Sequence, residues 1–369
     1  MGEWYYFEGI DKLDSPALVI YSERVKQNIK TLLSMVDGVY RLRPHVKTHK
    51  SPDVTKLLLE AGVYKFKCAT IAEAEMLAHA GAKDILFAYQ PIGPKITRFV
   101  LLAKEYSTAR FSCLVDNSEA AAAINAVAME YQIHITVFID INVGMNRTGI
   151  EGGQQAVHLY EYCNSLPYLE PRGLHAYDGH IRHPVFEERK RICDTQFAII
   201  ERTRDMLIDE GHHRPVIIAG GSPTFSIHSN RKEIECSPGT FIYWDAGYLD
   251  LCSEQSFKPA ALVITRVISL PSPTTICTDL GHKSIAAENE IGKRVHFLNA
   301  PHLRAIGQSE EHLVLEAGQD HGYKPGDILY GLPYHICPTC ALYETASIVE
   351  NGILAFEWRT VARDRRIRI

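Results

Sequence analysis

Between residues 17 and 245 the sequence alternates short β-branched runs with amphipathic stretches. This alternation restricts the possible folds more than any other feature of the chain. The candidate strands are ALVIYS (17–22), YRLRPHV (40–46), KFKCAT (65–70), DILFAY (84–89), FSCLVD (111–116), ITVFIDIN (135–142), GLHAYD (173–178) and PVIIAGG (215–221). Helical patterns such as SERVKQNIKTLLSMV (22–36) and TIAEAEMLAHAG (70–81) lie between them. In the second of these, Thr70 stands three residues before Glu73, a capping-box spacing, and Gly81 closes the helix. Runs buried on both faces and joined by helices belong in a parallel sheet. Eight of them predict an α/β fold of the (β/α)8 TIM-barrel type. A doubly wound sheet is the alternative, but no strand here is followed by a GxGxxG turn.

After about residue 250 the pattern changes. ALVITRVISL, TTICTDLG, HLVLEA, GDILYGL and SIVENGILAFEW are short strand candidates with little helix between them, and ENGI (350–353) contains an Asn-Gly hairpin turn. The expected organisation is an N-terminal segment (1–16) packing on the β domain, a barrel (17–250), and a mostly antiparallel β domain (251–369). A chain of 369 residues is long enough for this division.

Charge and composition exclude several classes of function. The net charge is -5 and no long Lys/Arg run occurs, which argues against a nucleic-acid partner. No apolar run approaches the ~18 residues of a membrane span. MGEWYYFEGIDKLDSPAL has no basic region followed by an apolar one, so no signal peptide is expected. The nine cysteines are scattered and odd in number, and Cys68, Cys113 and Cys277 sit inside strand-like segments. A reduced, cytoplasmic protein is the expectation.

In a barrel, chemistry gathers at the C-terminal ends of strands. RPHVKTHKS (43–51) puts Lys47 at such an end. A lysine in the barrel mouth is partly desolvated, which favours the neutral, nucleophilic amine of a Schiff-base lysine. Most lysines face solvent, so Lys47 alone also reads as part of a basic loop. In INVGMNRTGI (141–150) two glycines bracket Arg147, so the backbone can turn tightly and offer the guanidinium to an anion or phenolate. HAYDGHIRH (175–183) gathers His175, Tyr177, Asp178, His180 and His183 at another strand end, a histidine-rich loop without specific metal spacing. IAGGSPTF (218–225) presents Gly220, Gly221 and Ser222 after a strand, and SPGTF (237–241) adds Gly239 and Thr240. Each alone reads as a turn; together they suggest a phosphate cradle fed by late strands. In PYHICPTC (333–340), His335 and Cys337 are two apart and face the same way on an extended strand, half of a zinc site. Cys340 makes a further ligand or a redox pair an alternative, and a buried strand with free thiols is another.

Taken together, RPHVKTHKSPDV, GMNRTG, GLHAYDG, GGSPTF, SPGTF and PYHICPT resemble the D-serine dehydratase/D-threonine aldolase family, nearly end to end. The resemblance implies a pyridoxal 5'-phosphate enzyme with an alanine-racemase-like barrel and a C-terminal β domain, assembled as a homodimer. Lys47 matches the lysine that binds the cofactor covalently. Arg147 matches the arginine near its phenolic oxygen, and Tyr177 the ring stacked on the pyridine. Gly220, Gly221, Ser222, Gly239 and Thr240 match the phosphate-binding turns, and His335 and Cys337 the two metal ligands. Ser237 stands where racemases of this type carry an arginine near the pyridine nitrogen, and a serine does not protonate that nitrogen strongly.

The resemblance further implies a lyase acting on D-3-hydroxy amino acids. Dehydration of D-serine gives pyruvate and ammonia; retro-aldol cleavage of D-threonine gives glycine and acetaldehyde. In the family, His-x-Cys looks like the dehydratase pattern and His-x-Asp the aldolase one. A thiolate favours Zn2+, whereas a carboxylate would suit Mn2+ or Mg2+. The expectation is therefore a D-serine dehydratase, with D-threonine aldolase as the alternative. An amino-acid racemase needs a second base that cannot be assigned here. A non-catalytic carrier of the cofactor would be single-domain, unlike this chain.

Overall fold

The computed structural model describes residues 3–369. The chain forms two compact units, each drawn from separate stretches of sequence. One comprises the residues up to Thr31, Thr48–Asp53 and Thr240–Arg363; the other comprises Leu32–Lys47, Val54–Gly239 and Asp364–Ile369.

In chain order the strands that matter begin with β1 (Ala17–Tyr21), then β2 (Lys65–Cys68), β3 (Asp84–Phe87), β4 (Arg110–Val115) and β5 (Ile135–Asp140). β6 (Leu169–Ala176), β7 (Val216–Ala219) and β8 (Ile234–Cys236) follow. β2 to β8 form one parallel sheet in sequence order, each joined to the next. The helices between them are capped as the sequence suggests. Thr70 accepts from the amide of Glu73, Gly81 closes the same helix at φ +96°, and Asn117 accepts from the amide of Ala120. Inside the sheet Leu86, Leu114, Phe138 and Ile218 pack as one layer.

Two of the eight expected barrel strands behave differently. YRLRPHV opens as a 3-10 turn (Val39–Arg41) and continues as an extended segment rather than a ladder strand. Leu42 bridges Cys236 on β8 and His45 bridges Lys67 on β2, so residues 42–46 join both edges of the sheet. The amides of Arg43 and Val46 bond to Cys236 and Lys67, both at 2.9 Å. Pro44 has no amide hydrogen to donate, which interrupts a regular ladder. ALVIYS does form a strand, β1, but in the other sheet, because burial on both faces fits either sheet and only long-range pairing chooses.

That second sheet is mostly antiparallel. It adds β9 (Ala261–Ser272), β10 (Thr275–Thr278), β11 (Val295–Phe297), β12 (Arg304–Gln308), β13 (Leu313–Glu316), β14 (Ile328–Pro333), β15 (Thr345–Glu350) and β16 (Ile353–Arg359). β1 runs antiparallel to β9 and parallel to β15. Tyr5 and Phe7 pack with Val19, Tyr21, Leu262 and Tyr330, placing the start of the described chain in this unit's core.

Candidate active site

The barrel unit places three cations around one aromatic ring. Lys47 Nζ lies 5.7 Å from the centre of the Tyr177 ring, Lys67 Nζ 5.6 Å and the Arg147 guanidinium carbon 5.0 Å. Lys47 sits in the turn that follows the closing segment 42–46, and Tyr177 directly follows β6. Arg147 stands on the loop after β5, where Gly144 and Gly149 have φ +104° and +99°. Ile141 bridges Ile150, and a Cβ on Gly149 would lie 2.5 Å from the Asn142 amide nitrogen. The expectation that glycines let this loop turn is met. Gly149→Ala should therefore destabilise the protein by about 2 kcal/mol, from backbone strain plus a backbone clash. The check is the thermal midpoint of the purified variant; an unchanged midpoint would refute it.

Below Arg147, Asp140 and His175 form a buried pair, His175 Nδ1 to Asp140 Oδ1 at 2.6 Å. Thr148 donates to the other carboxylate oxygen at 2.9 Å. Burial opposes the charge on Asp140, yet its bonds to His175 and Thr148 hold the carboxyl below its usual range. Burial and then the nearby Lys67 push His175 down, so it is neutral. A carboxylate only accepts, so the proton is on Nδ1 and Nε2 offers a lone pair. Nε2 is buried without a partner, as is the hydroxyl of Ser237.

The two glycine turns meet. Ser237 N–H donates to Ala219 O at 3.2 Å, and Gly239 N–H to Ser222 Oγ at 3.4 Å. Gly220 takes φ +82°. The Gly221 amide is already engaged: its N–H donates to Asp178 Oδ1 and Thr224 Oγ1 at 3.2 and 3.3 Å. It therefore shapes the turn instead of offering its amide to an anion.

The histidine-rich loop does not converge. His175 pairs with Asp140, His180 Nε2 with Gln196, and His183 Nδ1 accepts from Val185 N–H. Asp178 instead joins Cys193 and His228, with ligand-type atoms within 4.8 Å of one another, a possible metal group. Hydrogen bonds already account for it. Arg231 donates to His228 Nδ1 at 2.7 Å, so Nε2 carries the proton and donates to Asp178 Oδ2 at 2.7 Å. Asp178 Oδ1 accepts from Thr224 at 2.7 Å. The group anchors the Gly221–Thr224 turn.

In the other unit His335 and Cys337 are not on an extended strand, which corrects that expectation. β14 ends at Pro333, His335 caps a short helix (Ile336–Cys340), and Cys337 lies in its first turn. The chain turns here because Asp245 Oδ2 accepts the Ile336 amide at 3.0 Å. His335 and Cys337 are nevertheless hydrogen-bonded to each other, and Glu288 takes His335 Nδ1. Burial disfavours charge on His335, but Cys337 and Glu288 outweigh it and push the imidazole up to about 9. Cys337 Sγ lies 3.1 Å from Thr48 Oγ1 and 3.6 Å from Thr240 Oγ1. Burial pushes the Cys340 thiol well up, as a neutral core residue requires.

Sequence reasoning missed Lys67, Asp140, His228, Glu288 and Thr48. One signal was available for Lys67. KFKC repeats a lysine at period two inside a strand buried on both faces, so both lysines point to the same side.

No helix among the described residues is long and apolar enough to cross a membrane. The chain is 27% identical over 359 residues to a D-threonine aldolase of Arthrobacter sp., covering 95% of this chain and 93% of that one. It is 27% identical over 374 residues to a 3-hydroxy-D-aspartate aldolase of Paracoccus denitrificans, covering 97% and 94%. The crystal structure of a D-threonine aldolase from Filomicrobium marinum superposes with a TM-score of 0.88 at 26% identity, covering 96% of both chains. Residues 260–349 match the family described as a putative serine dehydratase domain. Residues 20–246, more than half of the chain, match the alanine racemase N-terminal domain, and with both domains in this order the chain belongs to the alanine-racemase-like family of D-serine dehydratases and D-threonine aldolases.

Proposed function

We propose that this protein is a pyridoxal 5'-phosphate- and metal-dependent lyase of D-3-hydroxy amino acids, with dehydration of D-serine as its reaction. The observation that carries the cofactor reading is the charge arrangement around Tyr177. Lys47, Lys67 and Arg147 converge on the ring, and none of their terminal nitrogens has a hydrogen-bond or ion-pair partner within the described chain. Lys47 is half-buried and Lys67 buried, so leaving their amines unpaired is costly and calls for an anion, to which the exposed Arg147 can close; pyridoxal 5'-phosphate brings a phosphate and a phenolate. The partnerless Ser237 hydroxyl and His175 Nε2 fit a ligand with polar ring atoms.

In this reading Lys47 holds the cofactor covalently and Arg147 takes its phenolic oxygen. Tyr177 stacks on the ring, and Ser222, Gly239 and Thr240 hold the phosphate with Gly220 and Gly221 shaping the turn. Ser237 gives the pyridine nitrogen a neutral hydroxyl partner. The cofactor supplies the electron sink for bond cleavage at the amino acid's α-carbon. Once displaced by the substrate, Lys47 is a free amine positioned to move a proton.

His335 and Cys337 fit a divalent ion by donor chemistry. Glu288 holds His335 by one nitrogen, which fixes the ring, and an ion would replace the proton that His335 shares with Cys337, as in carboxylate–histidine–metal sites. A soft thiolate beside imidazole favours Zn2+, which supplies Lewis acidity to a departing hydroxyl.

Retro-aldol cleavage is the second reading, favoured by the two aldolases at 27% identity. A product assay decides. D-Serine should yield pyruvate, and D-threonine should give 2-oxobutanoate in preference to glycine and acetaldehyde. Rapid release of acetaldehyde, with no pyruvate from D-serine, would reverse the choice and keep the lyase.

A further inference from the structure

Lys67 is a second amine at the same ring, and neither the fold nor the covalent role of Lys47 requires it. It lies on β2, is only 3% exposed, and its Nζ has no hydrogen bond or ion pair. Lys65, two residues earlier on the same face, shows how such a lysine is normally satisfied: its ammonium reaches Glu235 and the Tyr40 carbonyl. The charged groups facing Lys67 are Lys47 and Arg43 from the closing segment and its turn, Asp140 at the end of β5, and Asp178 after β6. His175 and the Tyr177 ring also face it. Arg43 is itself occupied by Asp84 and Glu235, each at 2.7 Å. The two carboxylates are also engaged elsewhere, Asp140 by His175 and Thr148, Asp178 by His228 and Thr224. Burial and the nearby Lys47 push Lys67 down to about 7.

We infer that Lys67 is a cofactor-positioning residue that donates, alongside Arg147, to the phenolic oxygen of pyridoxal 5'-phosphate. This rests on the cofactor reading above and extends it to a residue outside the motifs. The argument is topological. The ring carbon bearing the aldehyde carbon that would join Lys47 has two ring neighbours, one carrying the phosphate arm and the other the phenolic oxygen. The phosphate turns follow β7 and β8, on one side of the segment 42–46 that leads to Lys47. With the phosphate on that side, the phenolic oxygen points to the other. The strand on the other side of the segment is β2, and its inward polar group is Lys67. A substrate carboxylate fits less well, because it must enter from solvent and Lys67 is almost fully enclosed.

A donor at the phenolic oxygen disfavours protonation of the adjoining bond between cofactor and Lys47. Removing the donor should raise the pH midpoint of the bound cofactor's visible absorbance change. The test uses holoenzyme, wild type and Lys67→Met, with Lys67→Gln as a smaller perturbation should the first not fold. Borohydride reduction and peptide mass mapping identify the lysine that carries the cofactor. The expected result is cofactor on Lys47 in every form, with a midpoint raised in Lys67→Met by about one pH unit or more. An unchanged midpoint with cofactor still on Lys47 overturns the inference and leaves the cofactor reading intact. An unchanged midpoint with a raised KM for D-serine would overturn it in favour of substrate binding. Wild-type protein that takes up no cofactor, or is labelled at Lys67, would overturn both.

Discussion

Lys47→Ala should yield a folded protein that no longer holds pyridoxal 5'-phosphate covalently and has lost lyase activity by about a thousand-fold or more. The side chain is half-buried, and its amine makes no hydrogen bond or ion pair within the described chain. Its removal leaves no buried partner unsatisfied, so stability should change by no more than about 0.5 kcal/mol. The visible absorbance of the holoenzyme should disappear while the far-ultraviolet dichroism and melting midpoint stay. Lys50→Ala is the control. Lys50 lies in the other compact unit, and its Nζ reaches the Ala362 carbonyl at 3.4 Å. That variant should keep the absorbance; if it alone loses it, the cofactor has been assigned to the wrong lysine.

The second large effect concerns the ion. Chelation should stop pyruvate formation from D-serine without removing the cofactor's absorbance, and Zn2+ should restore it. Two protein ligands leave coordination positions open, as a catalytic ion requires. Cys337→Ala should behave like the chelated enzyme, with activity lower by at least about a hundred-fold, the scale of removing one transition-state stabiliser. Cys340→Ala should retain most of its activity at a modest stability cost, because that thiol is buried and held neutral. Cys337→Asp should move the metal preference towards Mn2+ and raise retro-aldol cleavage relative to dehydration. Metal analysis of the purified enzyme accompanies each assay. Full activity in excess chelator with no bound ion would remove the metal from the mechanism.

Some of the site was readable from the sequence because it is built by local geometry. The loop around Arg147 depends on glycines within a few residues, and two of them do take positive φ. The strand-then-turn runs at 218–225 and 237–241 meet because consecutive parallel strands are neighbours. His335 and Cys337 touch for a reason the sequence reading had wrong. They bond across a helix cap held by Asp245, ninety-one residues earlier in the chain, and not along a strand.

What the sequence by itself determined is the set of local choices: where the parallel strands and their capped helices lie, where the antiparallel region begins, and which turns carry glycine. These follow from periodicity and backbone sterics, which act over a few residues. Only the tertiary structure decided that β1 leaves the barrel for the other sheet, that residues 42–46 tie β8 to β2, and that Lys65 has a carboxylate while Lys67 has none. A buried strand looks the same in either sheet, and the charge state of a buried lysine depends on which distant side chains face it. Both are properties of long-range pairing, where burial makes an unpaired charge costly and so gives it meaning.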